Sequence, residues 1–246
     1  MSKRRTLKLT GHDVDDFLQG LITNDIARLK NGLVYAALLT PQGKYIADFF
    51  LLRQGDVVLL DVADPLADML LARLNMYKLR ADVAIAPVDL HVHRGTGERP
   101  EDGFADPRHE ALGWRAYRDT PQEDDDTDWT ALRVAHLIPQ SGVELTPDTF
   151  ILEAGFERLN GVDFRKGCYV GQEVTARMKH KTELRKGLAR VSVQGPAETG
   201  EDITVSGKPA GTLLTRSGDA AIAYLRYDRA KEPMQAGTAR VLRTDA

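Results

Sequence analysis

The sequence predicts an α+β protein that ends in a small antiparallel β-barrel. Two observations carry this. Up to about Lys186, strand-length apolar runs alternate with segments of helical periodicity, which suits helices laid on one face of a sheet. Beyond Lys186 only short strand candidates remain, and glycine turns separate most of them. The chain therefore divides at residue 186, into 1–186 and 187–246. Its 246 residues suffice for a sizeable core and more than one domain.

Asp13 is a plausible N-cap, and Val14, Phe17, Leu18 and Leu21 follow at helical spacing on one face. Leu33–Leu39 and Tyr45–Leu52 are strand-like and are joined by turn residues Pro41 and Gly43. A third strand, Asp56–Ala63, follows the Gln54-Gly55 turn. Asp64-Pro65 opens a second helix, with Leu66, Met69, Leu70, Leu74 and Tyr77 as its buried stripe. Ala81–Asp89 returns as a strand. The segment from Gly95 to Asp106, rich in glycine, proline and charge, is expected to be an exposed connection. Trp129–Leu137 suggests a short helix, and Leu145–Gly155 a possible second one. In the last part, Gly187–Val193, Ile203–Ser206, Pro209–Thr215, Ala220–Leu225 and Thr238–Leu242 are the strand candidates.

Composition narrows the function. Hydrophobic residues make up 42% and charged residues 28%, as in ordinary soluble domains. No apolar run approaches the ~20 residues of a membrane helix. The basic start MSKRRTLKLT has no apolar stretch behind it, unlike a secretory signal. A single cysteine cannot form an internal disulfide, which fits a reducing, cytoplasmic setting; a processed mitochondrial protein would look the same. The net charge of −3 gives no global nucleic-acid footprint. The acidic run Glu123–Asp128 is expected to be a solvated loop, since it lacks the glycine and closing glutamate of a calcium loop. No coiled-coil pattern is present, so a monomer is expected.

The chemistry concentrates in Arg165–Glu173, RKGCYVGQE. A thiol acts as nucleophile or ligand only as thiolate, and the cations Arg165 and Lys166 before Cys168 favour that form. Gly167 and Gly171 allow turns or close approaches that other residues forbid. A buried structural cysteine is the plainer alternative. The basic cluster Arg177, Lys179, Lys181, Arg185 and Lys186 is most simply a solvated helix face; it could also meet carboxylates or phosphates. No aromatic residue interleaves it, so a single-strand reader is disfavoured. His91 and His93 would share one strand face but lack a visible third ligand, so surface histidines are expected and no metal site is assigned.

Lys166-Gly167-Cys168-Tyr169 followed by Gly171-Gln172-Glu173 resembles the signature of the YgfZ-type folate-binding proteins. Leu9–Ile26, Thr40–Arg53, Asp106–Arg115 and Thr149–Phe164 resemble that family in the same order. The resemblance implies the fold of the glycine-cleavage aminomethyltransferase, or T-protein: two interleaved ferredoxin-like lobes before the barrel. It also implies a tetrahydrofolate or derivative as cofactor, and iron–sulfur client proteins or assembly factors as partners. Glu153, in the LEAG segment, would hold the pterin edge through a charge-assisted fork. Arg177, Lys166, Tyr169, Gln172 and Glu173 are the further cofactor-binding candidates, and Cys168 the reactive thiol. The T-protein carries two aspartates where this chain has Ala47 and Asp48. Asp48 is thus a candidate catalytic carboxylate, or else a polar residue on a solvent-facing strand. The missing aspartate favours a folate-dependent accessory factor over a second possibility, a folate-dependent one-carbon transferase.

Overall fold

The structure is a computed structural model that describes residues 3–123, 125–181, 183–231 and 233–244, without the side chain of Lys181. The chain forms two compact units, Met1–Thr127 with Phe156–Val174 and Asp128–Gly155 with Thr175–Ala246.

The first unit is built on a five-stranded antiparallel sheet. Its strands are β1 (Arg4–Thr10), β2 (Val34–Leu39), β3 (Tyr45–Gln54), β4 (Val57–Ala63) and β5 (Ala84–Val88), in the order β2-β3-β4-β1-β5. The helices α1 (Val14–Gln19) and α2 (Asp64–Lys78) belong to the same unit. Val34, Ala36 and Leu38 of β2, Phe49 and Leu51 of β3, and Leu60 and Val62 of β4 pack in one core with Leu18, Ala67, Leu70 and Leu74 of the helices. The intervening Tyr35, Phe50 and Leu52 are also buried. Burial of both faces explains why these strands read as continuous apolar runs rather than as alternation. A second sheet, β6 (His91–Gly95), β7 (Phe104–Ala105) and β8 (Trp114–Arg118), has the order β6-β8-β7.

Several expectations change here. Arg4–Thr10 is a strand between β4 and β5, although its cations hide the apolar positions Leu7 and Leu9. Part of the supposed connection after Gly95 pairs as β7. Met69 is exposed, and Ala67 takes its place in the buried stripe of α2. His93 is buried rather than on the surface: its Nε2 lies 2.6 Å from the Thr120 carbonyl and its Nδ1 meets Arg118.

In the second unit, α3 (Trp129–Ala135) is capped by Asp128, whose carboxylate accepts from Ala131 N at 2.8 Å. The possible helix over Leu145–Gly155 is instead a series of turns. Asp124, within the acidic run, lies outside the described residues; its described neighbours from Glu123 to Asp128 are largely exposed. The chain passes from one unit to the other within α4 (Gln172–Lys181), which bears Arg177 and Lys179 on exposed positions. Then come β9 (Lys186–Gln194), β10 (Asp202–Val205), β11 (Lys208–Ser217), β12 (Ala220–Arg226), β13 (Met234–Ala236) and β14 (Ala239–Arg243). They close a barrel in the order β10-β11-β12-β9-β14-β13. Strict alternation fills it: Ala189, Val191 and Val193 of β9 face inward with Ala221, Ala223 and Leu225 of β12. The three-residue β13, which completes closure between β10 and β14, is too short to show a period in sequence.

Candidate functional site

The cysteine loop is held from beneath. Lys166 is only 6% exposed, and its Nζ donates to the carbonyls of Gln19 and Ile22, each at 2.6 Å. Burial lowers its pKa to about 8, although Asp25 and Asp163 pull the other way. A neutral amine still has two N–H groups, which match the two carbonyls. The same amine lies 5.0 Å from the centre of the Tyr169 ring, itself buried. Asp163 secures the entry to the loop by accepting from the backbone N–H groups of Arg165 (2.7 Å) and Lys166 (3.3 Å), and it pairs with Arg28. Gly171, at φ +84°, closes the exit. A Cβ there would stand 2.6 Å from the Thr40 carbonyl oxygen, so only glycine fits against the β2–β3 turn. Between these fixed ends Gly167 and Cys168 are exposed. The thiol is presented to solvent, while the nearest cation before it in sequence, Lys166, points inward.

Asp48, on β3, is buried, which removes its reading as a solvent-facing strand residue. Its Oδ1 accepts from Tyr45 Oη at 2.6 Å and its Oδ2 from Tyr35 Oη at 3.0 Å. Burial first, and the neighbouring carboxylate second, hold the Tyr35 hydroxyl well above its ordinary pKa. The Tyr35 ring stacks on Phe156 at 5.1 Å. On the same sheet, Asp61 anchors an ionic network that the sequence reading did not foresee. Asp61 accepts from Arg4 Nε at 2.6 Å and Arg115 Nη1 at 3.1 Å, and Arg115 reaches Asp106 at 3.0 Å. Burial alone would raise the Asp106 carboxyl pKa, yet Arg108 and Arg115 hold it well below the usual range. Arg115 also lies 3.9 Å over the Phe50 ring. The available signal was a lone acid inside the apolar run VVLLDVA.

In the second unit, Glu153 is 7% exposed. Its Oε2 accepts from Tyr224 Oη at 2.7 Å, and its Oε1 lies 3.9 Å from Lys186 Nζ. Burial, then the hydrogen bond to Glu153, push the Tyr224 hydroxyl above its usual pKa. A carboxylate has about four acceptor positions. Tyr224 and Lys186 are its only side-chain partners among the described residues, so acceptor positions on the carboxylate remain unfilled by side chains. Tyr224 was not singled out in the sequence. Within the first unit the structure brings Lys166 and Tyr169 together around Cys168, while in the second it couples Glu153 to Lys186 and Tyr224. Gln172 opens α4, followed by exposed Glu173, with Arg177 one turn further on. Among the described residues no three His, Cys, Asp or Glu side chains converge as a metal site.

The whole chain superposes on the aminomethyltransferase T of the glycine cleavage system from Bartonella henselae, with a TM-score of 0.78 over 100% of this chain and 83% of that one. The chain has the aminomethyltransferase fold. At 14% identity, the likeness to that aminomethyltransferase is one of fold alone. Residues 185–244 match the family described as CAF17, C-terminal beta-barrel domain. Among curated proteins, the mitochondrial iron-sulfur cluster assembly factor IBA57 of Mus musculus is 29% identical over 96% of this chain and 79% of its own length. The human protein of that name is 28% identical over 94% of this chain and 78% of its own length. The corresponding homologue from Pyricularia oryzae is 30% identical over 76% of this chain, which spans 55% of that protein. No helix among the described residues is long and apolar enough to cross a membrane.

Proposed function

We propose that this chain is a tetrahydrofolate-binding accessory factor that supports assembly or repair of iron–sulfur clusters, and that Cys168 meets the client or the cluster. The observation that carries this reading is the exposed thiol on a loop fixed at both ends. It is supported by the similarity to proteins named as iron-sulfur cluster assembly factors, which are mitochondrial. One thiolate supplies one of the four ligands a cluster usually needs, so the remaining ligands come from a partner chain. A rigid loop suits such shared ligation, because it leaves little conformational freedom to be lost on contact.

For the folate, Glu153 would take the pterin edge on its unfilled acceptor positions, with Tyr224 and Lys186 fixing the carboxylate. Tetrahydrofolate, when bound, supplies a reduced pterin and a nitrogen that carries one-carbon units. The second reading, one-carbon transfer, has the fold in its favour. Against it, both Asp48 oxygens accept from tyrosines in a buried setting, the place of a positioning carboxylate rather than a free acid or base.

The deciding experiment has two arms. Calorimetric titration of the reduced protein with tetrahydrofolate should give saturable binding that Glu153→Gln weakens by roughly 10-fold. Cells dependent on this chain for cluster-enzyme activity should lose that activity with Cys168→Ala. Full activity with Cys168→Ala refutes the role of the thiol, and absence of folate binding at millimolar concentration refutes the cofactor. Formation of methylene-tetrahydrofolate from an aminomethyl donor would favour the transferase instead.

A further inference from the structure

The outer edge of α2 carries none of the candidate site residues, and it is built unlike the rest of the surface. The helix commits Ala67, Leu70 and Leu74 to the core. Away from that stripe, Met69, Arg73 and Met76 follow at i, i+4 and i+7, so they form one line on the helix. Leu79 and Arg80 continue it directly past the helix end. Met69 is 37% exposed, Met76 54% and Leu79 86%, and these are the large hydrophobics exposed among the described residues. Scattered exposed apolar side chains are ordinary; three of them within one helix and its end are not. Leu79 adds strain, because its φ of +45° lies in the left-handed region where a helix end usually places glycine. A glycine would relieve the strain and remove the exposed side chain together.

The charge on this edge identifies what would cover it. The two carboxylates of α2, Asp64 and Asp68, both pair with Arg5. Lys78 donates its Nζ to the Val83 carbonyl at 2.9 Å. Arg73 and Arg80 have no ion pair or hydrogen bond with any other described side chain, so the cations interleaved with the apolar residues are uncommitted. A second copy of the chain would bring four guanidinium groups together, and the exposed carboxylate of the helix, Asp68, is already engaged by Arg5. A lipid-binding helix needs a broad apolar face, and α2 has already spent its broad face on the core. We propose that the Met69–Arg80 edge of α2 docks a protein segment that is acidic and apolar on one face, such as an amphipathic helix with leucines flanked by glutamates.

The test uses the full chain carrying 13C-methyl methionine and a fluorescein-labelled probe peptide of about 15 residues, with leucines at helical i, i+3, i+4, i+7 spacing and glutamates elsewhere. The same peptide with lysine for glutamate is the control. The Met69 and Met76 methyl signals should move on titration, whereas that of Met234, buried in the barrel, should stay put and report intact folding. Binding by fluorescence anisotropy should weaken roughly 10-fold with Arg73→Glu plus Arg80→Glu, and likewise with Met76→Ser. The proposal is overturned if neither methionine responds at millimolar peptide, if the lysine peptide binds equally, or if the variants bind unchanged. It is also overturned if the edge instead binds vesicles of phosphatidylcholine and phosphatidylglycerol in a manner that the same variants abolish.

Discussion

Replacing Lys166 by Met should change how stability depends on pH, in a direction set by the burial of its amine. In the folded chain this group loses its proton near pH 8, against 10.5 for the ordinary amine. Between those values the unfolded chain binds more protons than the folded one, so the amine makes stability rise with pH. With each tenfold change in proton affinity equal to about 1.4 kcal/mol, the parent should gain about 2–3 kcal/mol from this group between about pH 7 and pH 10. Methionine has no such proton, and it leaves the Gln19 and Ile22 carbonyls without their donor, at about 1–3 kcal/mol each. Near pH 7 that loss is offset by removal of a buried charge. Near pH 10 the amine is already neutral in the folded parent, so the loss stands alone. Urea unfolding followed by circular dichroism at both pH values, with linear extrapolation, measures the gap between parent and variant. The gap should widen by about 2–3 kcal/mol toward high pH. A constant or narrowing gap would refute the buried, proton-shedding amine, and with it the account of how the loop is fixed.

Three further outcomes are expected. Gly171→Ala should lower stability by about 2 kcal/mol or more in thermal melting, because both its positive φ and the Thr40 carbonyl oppose a side chain; a neutral effect would show that the loop exit is loose. Asp61→Ala should cost about 3–5 kcal/mol in the same assay, since it removes the carboxylate from half-buried Arg4 and leaves Arg115 with Asp106. In the native protein Cys168 should react with one equivalent of an aromatic disulfide reagent at nearly its unfolded-state rate; a reaction that waits for unfolding would contradict its exposure.

The barrel and the apolar strands were readable because their signals are local. Inward and outward residues alternate along β9 and β12, and β2 to β4 are apolar on both faces. The elements that escaped were those defined by their partners. β1 is a strand because β4 and β5 flank it, and β7 has two residues and exists only beside β8. The helix suspected over Leu145–Gly155 failed for a similar reason. Glu144, just before it, accepts from Gln140 N at 2.9 Å and Arg133 at 3.2 Å, so the segment starts from a side-chain carboxylate tied to earlier residues rather than from a helix cap. At the candidate site, the exposure of Cys168 follows from the glycine and charge around it. The inward course of Lys166 does not, because its acceptors lie more than a hundred residues earlier. Tyr35 and Tyr224 were likewise silent: each takes its role from a carboxylate on another segment, Asp48 across the β2–β3 hairpin and Glu153 71 residues earlier.

The contact between Gly171 and the turn at Thr40 and Gly43 ties the cysteine loop to a part of the chain made much earlier. A Cβ on Gly171 would meet Thr40 O, Leu39 Cβ and Gly43 Cα, all of which belong to the hairpin of β2 and β3. That hairpin leaves the ribosome long before the cysteine does. Gly161 accepts from the Thr23 hydroxyl at 2.7 Å, and Asp163 N donates to the Thr23 carbonyl at 3.0 Å, so the approach to the loop also docks on material made early. The presented geometry of the thiol therefore depends on that hairpin being in place. A truncated or misfolded chain would carry the cysteine exposed but without its setting, so an accessible thiol does not by itself report a correctly formed loop.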